Sequence, residues 1–252
     1  MPRLKGMPRI SRIRRGLLAT AATVTAATAM AAISAPPGPV YSGVGWIAEL
    51  DQPIRSIHPG GYEIVFADHR ARIFARPYFS RAAAQITVLT GIPVTLTTQI
   101  DTTPVGTCPA RHRIIVTMEH QPMGLPGYSQ ARPCWDSRDN SAWGGHIRMD
   151  SEYWDGPWFG PDWDVNQQYR RNISAHELGH ILGLDHPNAD LNRDGAVDKF
   201  ECVRNKDGWT PLMCSPNGGY RTDVGSGTFT EFDAAGLKQM ADNYWLHQGI
   251  QP

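Results

Sequence analysis

The sequence predicts an α+β domain, and three observations support that prediction. Segments rich in β-branched residues, such as 94–100 and 113–118, favour strands in the first half of the chain. Apolar residues at helical spacing favour helices over residues 78–90 and 230–246. Between them, a third helix from about Val165 to Leu182 carries several histidines. The expected domain therefore combines a sheet with separate helices.

The positions of Pro and Gly predict where the individual helices and strands begin and end. Pro77 is expected to open the first helix, and Gly91 with Pro93 to end it. Residues 36–60 are rich in Pro and Gly and are expected to have little regular structure. The remaining expectations are a strand at 62–67, a strand at 113–118, a loop at 121–145 and a strand at 145–150.

The first 35 residues differ from the rest of the chain. They contain six basic and no acidic residues, and an Ala- and Thr-rich apolar stretch runs from Leu17 to about Ile33. Small residues suited to cleavage precede Pro36. This layout predicts a secretory signal peptide over residues 1–35, and one folded domain is expected over residues 61–252.

Charge and export together limit the partners. The whole chain has 24 basic and 24 acidic residues, so removing the six basic residues of the leader leaves a net charge of about −6. That charge argues against nucleic acid as a partner. No second long apolar run follows, so no stable membrane insertion is expected after the leader is removed.

Residues 176–186 read HELGHILGLDH and predict a zinc site. On a helix His176 and His180, four residues apart, project from the same face and can reach one ion. A straight helix would turn His186 away, but Gly183 can end the helix and let the chain bring His186 back. Three nitrogen ligands leave one position open, as in a catalytic zinc site. The alternative is a surface helix that contains histidines by chance.

Glu177 follows the first predicted ligand and is the candidate catalytic residue. Its position predicts a general base that takes a proton from water and later gives it to a leaving amine.

The extended pattern HExxHxxGxxH resembles the signature of the metzincin zinc peptidases, and its wording resembles the matrixin branch, the relatives of matrix metalloproteinases. The resemblance implies a mixed twisted sheet with an active-site helix, a methionine turn and a C-terminal helix. It also implies that Met213, within Thr210–Pro216, forms an apolar floor beneath the metal ligands. The alternative for Met213 is an ordinary core methionine in a loop.

The segment Gly145–Trp154 also resembles the matrixin strand that precedes the zinc helix. In that family substrate pairs with the strand at the sheet edge, so residues 145–149 are expected to hold the peptide backbone. Arg148 stands where matrix metalloproteinases have a histidine that binds a second, structural zinc. A cation cannot bind zinc, so a second zinc is not expected.

Residues 190–201 fit the calcium-loop pattern D-x-[DN]-x-[DN]-G-x₅-E at every position. A structural calcium ion is therefore expected, and the alternative is a solvated acidic turn. The predicted ligands all offer oxygen atoms, that of Ala196 being its carbonyl: Asp190, Asn192, Asp194, Ala196, Asp198 and Glu201.

Four cysteines in an exported chain favour two disulfides. Three pairings are possible. Cys108–Cys134 with Cys202–Cys214 is preferred because each bond closes a short loop. The alternative role, a thiolate bound to zinc, would close the catalytic position.

The resemblance and the motifs together predict a secreted, monomeric zinc endopeptidase with Zn²⁺ as catalytic and Ca²⁺ as structural ion, acting on a protein or peptide such as extracellular matrix. Two alternatives stay open: a secreted, calcium-stabilised binding protein with an idle zinc site, and a hydrolase of a non-peptide amide. The aromatic and acidic segment around Trp154, Trp158 and Trp163 either lines a substrate cleft or packs on the domain.

Overall fold

The computed structural model describes residues 38–252. The predicted signal peptide, residues 1–35, lies outside the described residues. The elements in chain order are β1 (Ser42–Gly43), β2 (Trp46–Ala48), β3 (Ser56–Ile57), β4 (Tyr62–Phe66), α1 (His69–Thr90), β5 (Val94–Ile100), β6 (Arg113–Glu119), β7 (Gln130–Trp135), β8 (Ser141–Asp150), a 3₁₀ turn (Ser151–Trp154), α2 (Trp163–Ile181), β9 (Leu184–Asp185) and α3 (Glu231–Leu246).

The described part mixes helices with parallel and antiparallel strands. The larger sheet has the order β3-β8-β6-β4-β5, in which every pair is parallel, and β7 pairs antiparallel with β8. A smaller antiparallel sheet has the order β1-β2-β9. In β6, Ile114, Ile115 and Val116 are all fully buried, as expected for an inner strand covered on both faces. The coarse α+β expectation therefore agrees with the structure.

Helix α1 begins nine residues before the predicted start. The Asp68 side chain caps it by accepting a hydrogen bond from Ala71 N, 2.7 Å away, and Gly91 ends it with a φ of 70°. Pro77 therefore lies inside the helix, where it removes one backbone donor. Its ring lies on the exposed face, and the core contact is made by a stripe that includes Ala71, Ala75 and Phe79. The prediction that Pro77 opens α1 was wrong.

Two segments predicted to lack regular structure contain strands. Residues 121–145, expected to be loop, contain β7 and the start of β8. Residues 36–60 contain three short strands. β1 pairs with β2 and β7 with β8, each with the next strand of the chain, while β2 also pairs with β9 and β3 with β8, far along the chain. The strands therefore depend on pairing and packing more than on local pattern.

Strand β8 is also not the edge that the family resemblance implied. Residues Gly145–Arg148 pair with β6 on one side and with β7 on the other. The prediction that residues 145–149 hold a peptide was therefore wrong, and the outer strand on this side is β7. Arg148, the residue that departs from the family pattern, donates to Glu119 Oε2 at 2.6 Å.

The predicted cysteine pairing is confirmed. Cys108–Cys134 ties the segment before β6 to β7, and Cys202–Cys214 ties the end of the 190–201 loop to the segment containing Met213. No described cysteine is left to bind a metal. Among residues 38–252, no helix combines the length and apolar character that a bilayer span requires.

Candidate metal centre and cleft

The three predicted zinc ligands meet at one point. The Nε2 atoms of His176, His180 and His186 form a triangle in which each side is 3.1 Å. His176 and His180 project from the last turns of α2, as the i, i+4 spacing predicts. His186 comes from the segment just after β9 and lies on the more exposed side.

Gly183 makes the return of His186 possible. The helix ends at Ile181 with Leu182 as its C-cap, and Gly183 follows with a φ of 86°, a conformation that residues with side chains rarely adopt. A Cβ at Gly183 would lie 2.5 Å from Ile54 Cγ2, so the site is also too crowded for a side chain. The backbone then pairs with β2, which fixes Asp185 opposite Ile47 and directs the next residue to the triangle.

Two of the imidazoles are held in a known tautomer. His176 Nδ1 lies 3.0 Å from the carbonyl oxygen of Leu212, and His180 Nδ1 lies 2.8 Å from that of Leu184. A carbonyl oxygen can only accept, so both Nδ1 atoms must donate. The Nε2 atoms of these neutral rings therefore present lone pairs to each other across 3.1 Å, with no hydrogen between them.

This arrangement fits a bound divalent cation. Facing lone pairs repel unless a positive charge lies between them, and imidazole nitrogens bound to one zinc lie roughly 3.2–3.5 Å apart. Burial, and then the neighbouring imidazoles, lower the pKa of His176 well below its usual value and that of His180 to about 3. The rings stay neutral at physiological pH, which is the form that binds a metal.

Met213 lies directly beneath the ligand helix. It is fully buried, and a Cβ added at Gly179, between the two helical histidines, would lie 2.4 Å from its Sδ. The sulfur thus occupies space that only glycine leaves free on that face of α2. Met213 therefore packs against the ligand helix, and its role as a floor beneath a bound metal stays a prediction.

We expect Gly179→Ala to lower the free energy of unfolding by about 1–3 kcal/mol, because the added methyl overpacks the contact with Met213. In a Met213→Ala background the same change should cost less, since the space is then open. Urea unfolding of the four proteins measures this coupling. An equal cost in both backgrounds would contradict the proposed contact.

Asp233 of α3 holds the segment around Met213 through hydrogen bonds to its backbone, and sequence reasoning missed this residue. The fully buried Asp233 carboxylate accepts from Leu212 N at 2.7 Å, Met213 N at 3.1 Å and Thr230 N at 2.9 Å. Thr230 Oγ1 also donates to it at 2.7 Å. One carboxylate therefore links the start of α3 to the backbone whose Leu212 carbonyl orients His176.

Glu177 lies on the cleft side of α2 next to the first ligand. It is 7% exposed, and burial raises its pKa to about 8, partly offset by the Ala131 backbone amide. A carboxyl group with a pKa near neutrality can both take up and release a proton under working conditions.

The cleft that contains this group has a volume of about 600 Å³. On one side it is bounded by β7 and the segment before it, and on the other by Ser215–Asn217. Glu49 and Asp185 line it near His180, and burial, then the charge of Asp185, raises the pKa of Glu49 to about 7. Trp154 and Trp163 do not line this cleft, so their suggested role in it is not supported.

The 190–201 loop is a compact turn built on its own acidic side chains. Asp190 accepts from Asp194 N at 3.1 Å and Gly195 N at 2.9 Å. Glu201 accepts from Leu191 N at 2.7 Å, Asn192 N at 3.0 Å and, through its other oxygen, Asp198 N at 2.9 Å. Gly195 has a φ of 93°, which the sharp bend requires.

The loop's carboxylates do not form a tight cluster. Within residues 38–252, three groups bring at least three His, Cys, Asp or Glu ligand atoms within 4.8 Å of one another. They are the histidine triangle, the Glu49, His180 and Asp185 group, and the His120, Asp150 and Glu152 group. Ala196 and Asp198 are exposed, and calcium binding by the loop stays a prediction.

Comparison of the sequence with protein-family models and with curated proteins gives no match. A solved structure described as the GM1 bound form of the ECX AB5 holotoxin is similar over 80% of this chain and 86% of that chain. The identity is 14% and the TM-score 0.42, values too low to support an argument about fold family or function.

Proposed function

We propose that this chain is an exported zinc-dependent endopeptidase of the metzincin type. The observation that carries the proposal is the triangle of Nε2 atoms with sides of 3.1 Å, two of them fixed as lone-pair donors, beside the buried carboxyl of Glu177. The two disulfides and the predicted signal peptide support export to an oxidising compartment.

His176, His180 and His186 would hold the ion through Nε2. When bound, zinc supplies Lewis-acid chemistry, polarising the scissile carbonyl and acidifying water. Leu212 O and Leu184 O keep the first two rings oriented and raise their basicity, so the site needs little rearrangement to bind a metal.

Glu177 performs the proton transfers in this proposal. Its carboxylate takes a proton from the attacking water and then delivers it to the leaving amine nitrogen. Burial raises the pKa of Glu177 in the metal-free site, and a dication bound beside it would lower that pKa and favour the carboxylate form that accepts the proton.

The free side of β7 would bind the peptide substrate. Within residues 38–252, β7 pairs with β8 alone, and residues 130, 131 and 133 line the cleft, so its outer backbone groups can add an extended peptide as a further strand. Such pairing would lay the peptide across the cleft that contains Glu177.

Cleavage of casein or of a quenched peptide library tests the proposal. Cleavage that is removed by a zinc chelator and restored by added Zn²⁺ is the expected result. Tight zinc binding without cleavage of any peptide would contradict the proposal and favour the binding-protein alternative, and cleavage of small amides alone would favour the non-peptide hydrolase.

We also propose that the 190–201 loop binds one structural calcium ion. Saturating Ca²⁺ at about 100 times Kd should stabilise the protein by about 2.7 kcal/mol, a rise in Tm of roughly 5–10 °C. Glu201→Gln should remove that rise, and Asp207→Asn, an exposed acidic residue outside the loop, should keep it. Thermal unfolding with zinc held constant measures both, and an unchanged Tm in excess Ca²⁺ would refute the site.

A further inference from the structure

A second cavity, of about 480 Å³, lies away from the histidine triangle. It is formed by α1, the segment that follows the 3₁₀ turn, and the first turns of α2, and none of its lining residues lines the cleft. Most of its wall is apolar or aromatic. The lining includes Ile73, Phe74, Tyr78, Trp154, Trp163 and Arg170.

The wall exposes large apolar side chains that packing does not explain. Ile73 and Phe74 on α1 are 64% and 46% exposed, and Trp163 on α2 is 69% exposed. Clustered exposed apolar groups of this kind around a concave surface mark binding sites more often than ordinary surface.

Arg170 adds a positive charge to this apolar wall. It is 4% exposed, and its guanidinium lies 5.7 Å from the Trp154 ring centroid and 5.8 Å from that of Trp163. Its Nε donates to Tyr153 O at 2.7 Å, and its Nη2 makes a longer contact of 3.3 Å with Gly156 O.

No carboxylate compensates this charge. Among the ion pairs of residues 38–252, none involves Arg170, and its Nη1 has no hydrogen-bond partner in that part of the chain. The acidic residues of the neighbouring segment, Asp155, Asp162 and Asp164, are exposed and do not line the cavity. Backbone carbonyls alone satisfy part of this buried guanidinium, so an anion that reaches its Nη1 is stabilised by a charge that no carboxylate of residues 38–252 offsets.

We propose that this cavity binds a small amphipathic carboxylate, with its carboxylate on Arg170 and its apolar body between the α1 side chains and Trp163. The volume falls in the range of small-molecule sites and is suited to a ligand with one or two rings. The aromatic walls favour a flat apolar body that stacks on them.

The test uses 2-naphthylacetate as the probe and its neutral carboxamide as the matched ligand. Calorimetric titration of the full mature chain should show the acid binding at least about tenfold more tightly than the amide, equivalent to about 1.4 kcal/mol. Equal affinities, or no binding of the acid at millimolar concentration, would overturn the proposal.

Two substitutions on α1 locate the site without touching Arg170, whose removal endangers folding. Ile73→Glu places a negative charge at the edge of the cavity, where it repels the carboxylate of the ligand. This variant should bind the acid at least tenfold more weakly. Val88→Glu, on the same helix but 85% exposed and outside the cavity, should leave it unchanged. Arg170→Met, if folded by circular dichroism, should bring the affinity for the acid down to that for the amide. Undiminished binding by the Ile73→Glu variant would place the ligand elsewhere and refute the assignment.

Discussion

Glu177→Gln should lower the rate of peptide cleavage by at least about 10²–10⁴-fold while the variant keeps one zinc ion per chain. Glutamine preserves the shape of the side chain but cannot take up a proton from water. Because Glu177 is not one of the three predicted metal ligands, replacing it should leave the affinity for zinc nearly unchanged. Turnover of a quenched peptide and metal analysis of the same preparation measure the two effects together.

Glu49→Gln provides the matched control. It removes another carboxyl group that lines the same cleft and whose pKa is also raised by burial. We expect this variant to keep most of its activity. Equal losses in the two variants would mean that the negative charge of the cleft, and not proton transfer by Glu177, supports turnover.

Asp233→Ala should destabilise the protein by about 3–5 kcal/mol, because it leaves three buried backbone amides without their acceptor. It should also weaken zinc binding, since Leu212 N loses its anchor while Leu212 O orients His176. Urea unfolding of the metal-free protein gives the first effect and a competitive zinc titration the second.

Asp242→Ala tests whether the loss of stability is specific to the Asp233 carboxylate. Asp242 lies on the same helix and is more exposed, and no hydrogen bond to its side chain is found within residues 38–252. It should change the free energy of unfolding by no more than about 0.5 kcal/mol. If Asp233→Ala changed the free energy of unfolding as little as Asp242→Ala, the position of the segment around Met213 would not depend on the Asp233 carboxylate.

The convergence of the three histidines was the most predictable part of the molecule because its geometry is local. The i, i+4 spacing of His176 and His180 fixes their relative direction on any α-helix, and Gly183 marks the place where the chain can turn back. The disulfide pairing was predictable for a similar reason, since each bond closes a short loop.

The strand order was not predictable in the same way. β7 contains Pro133 and lies in a segment rich in turn-forming residues, so nothing local distinguishes it from a loop. Its antiparallel pairing with β8, the next strand of the chain, places it at the edge beside Glu177, and whether such a segment becomes a strand depends on its packing in the sheet. For that reason the sequence predicted β8, and not β7, as the edge strand beside the cleft.

Asp233 shows which signal was present and which was not. Thr230 and Asp233 are three residues apart at the start of α3, and such a capping pair can be read from sequence. Its bonds to Leu212 and Met213, about twenty residues earlier, cannot. The start of α1 is a comparable case, since Asp68 is a good cap but Pro77 offered the stronger local signal.

Zinc titration of the metal-stripped mature protein tests the central claim most directly. The account predicts one Zn²⁺ per chain bound through imidazole nitrogen, and a loss of that site when His176, His180 or His186 is replaced by Ala. Zinc bound with the same affinity by the His186→Ala variant, or no zinc bound by the unmodified chain, would contradict the account.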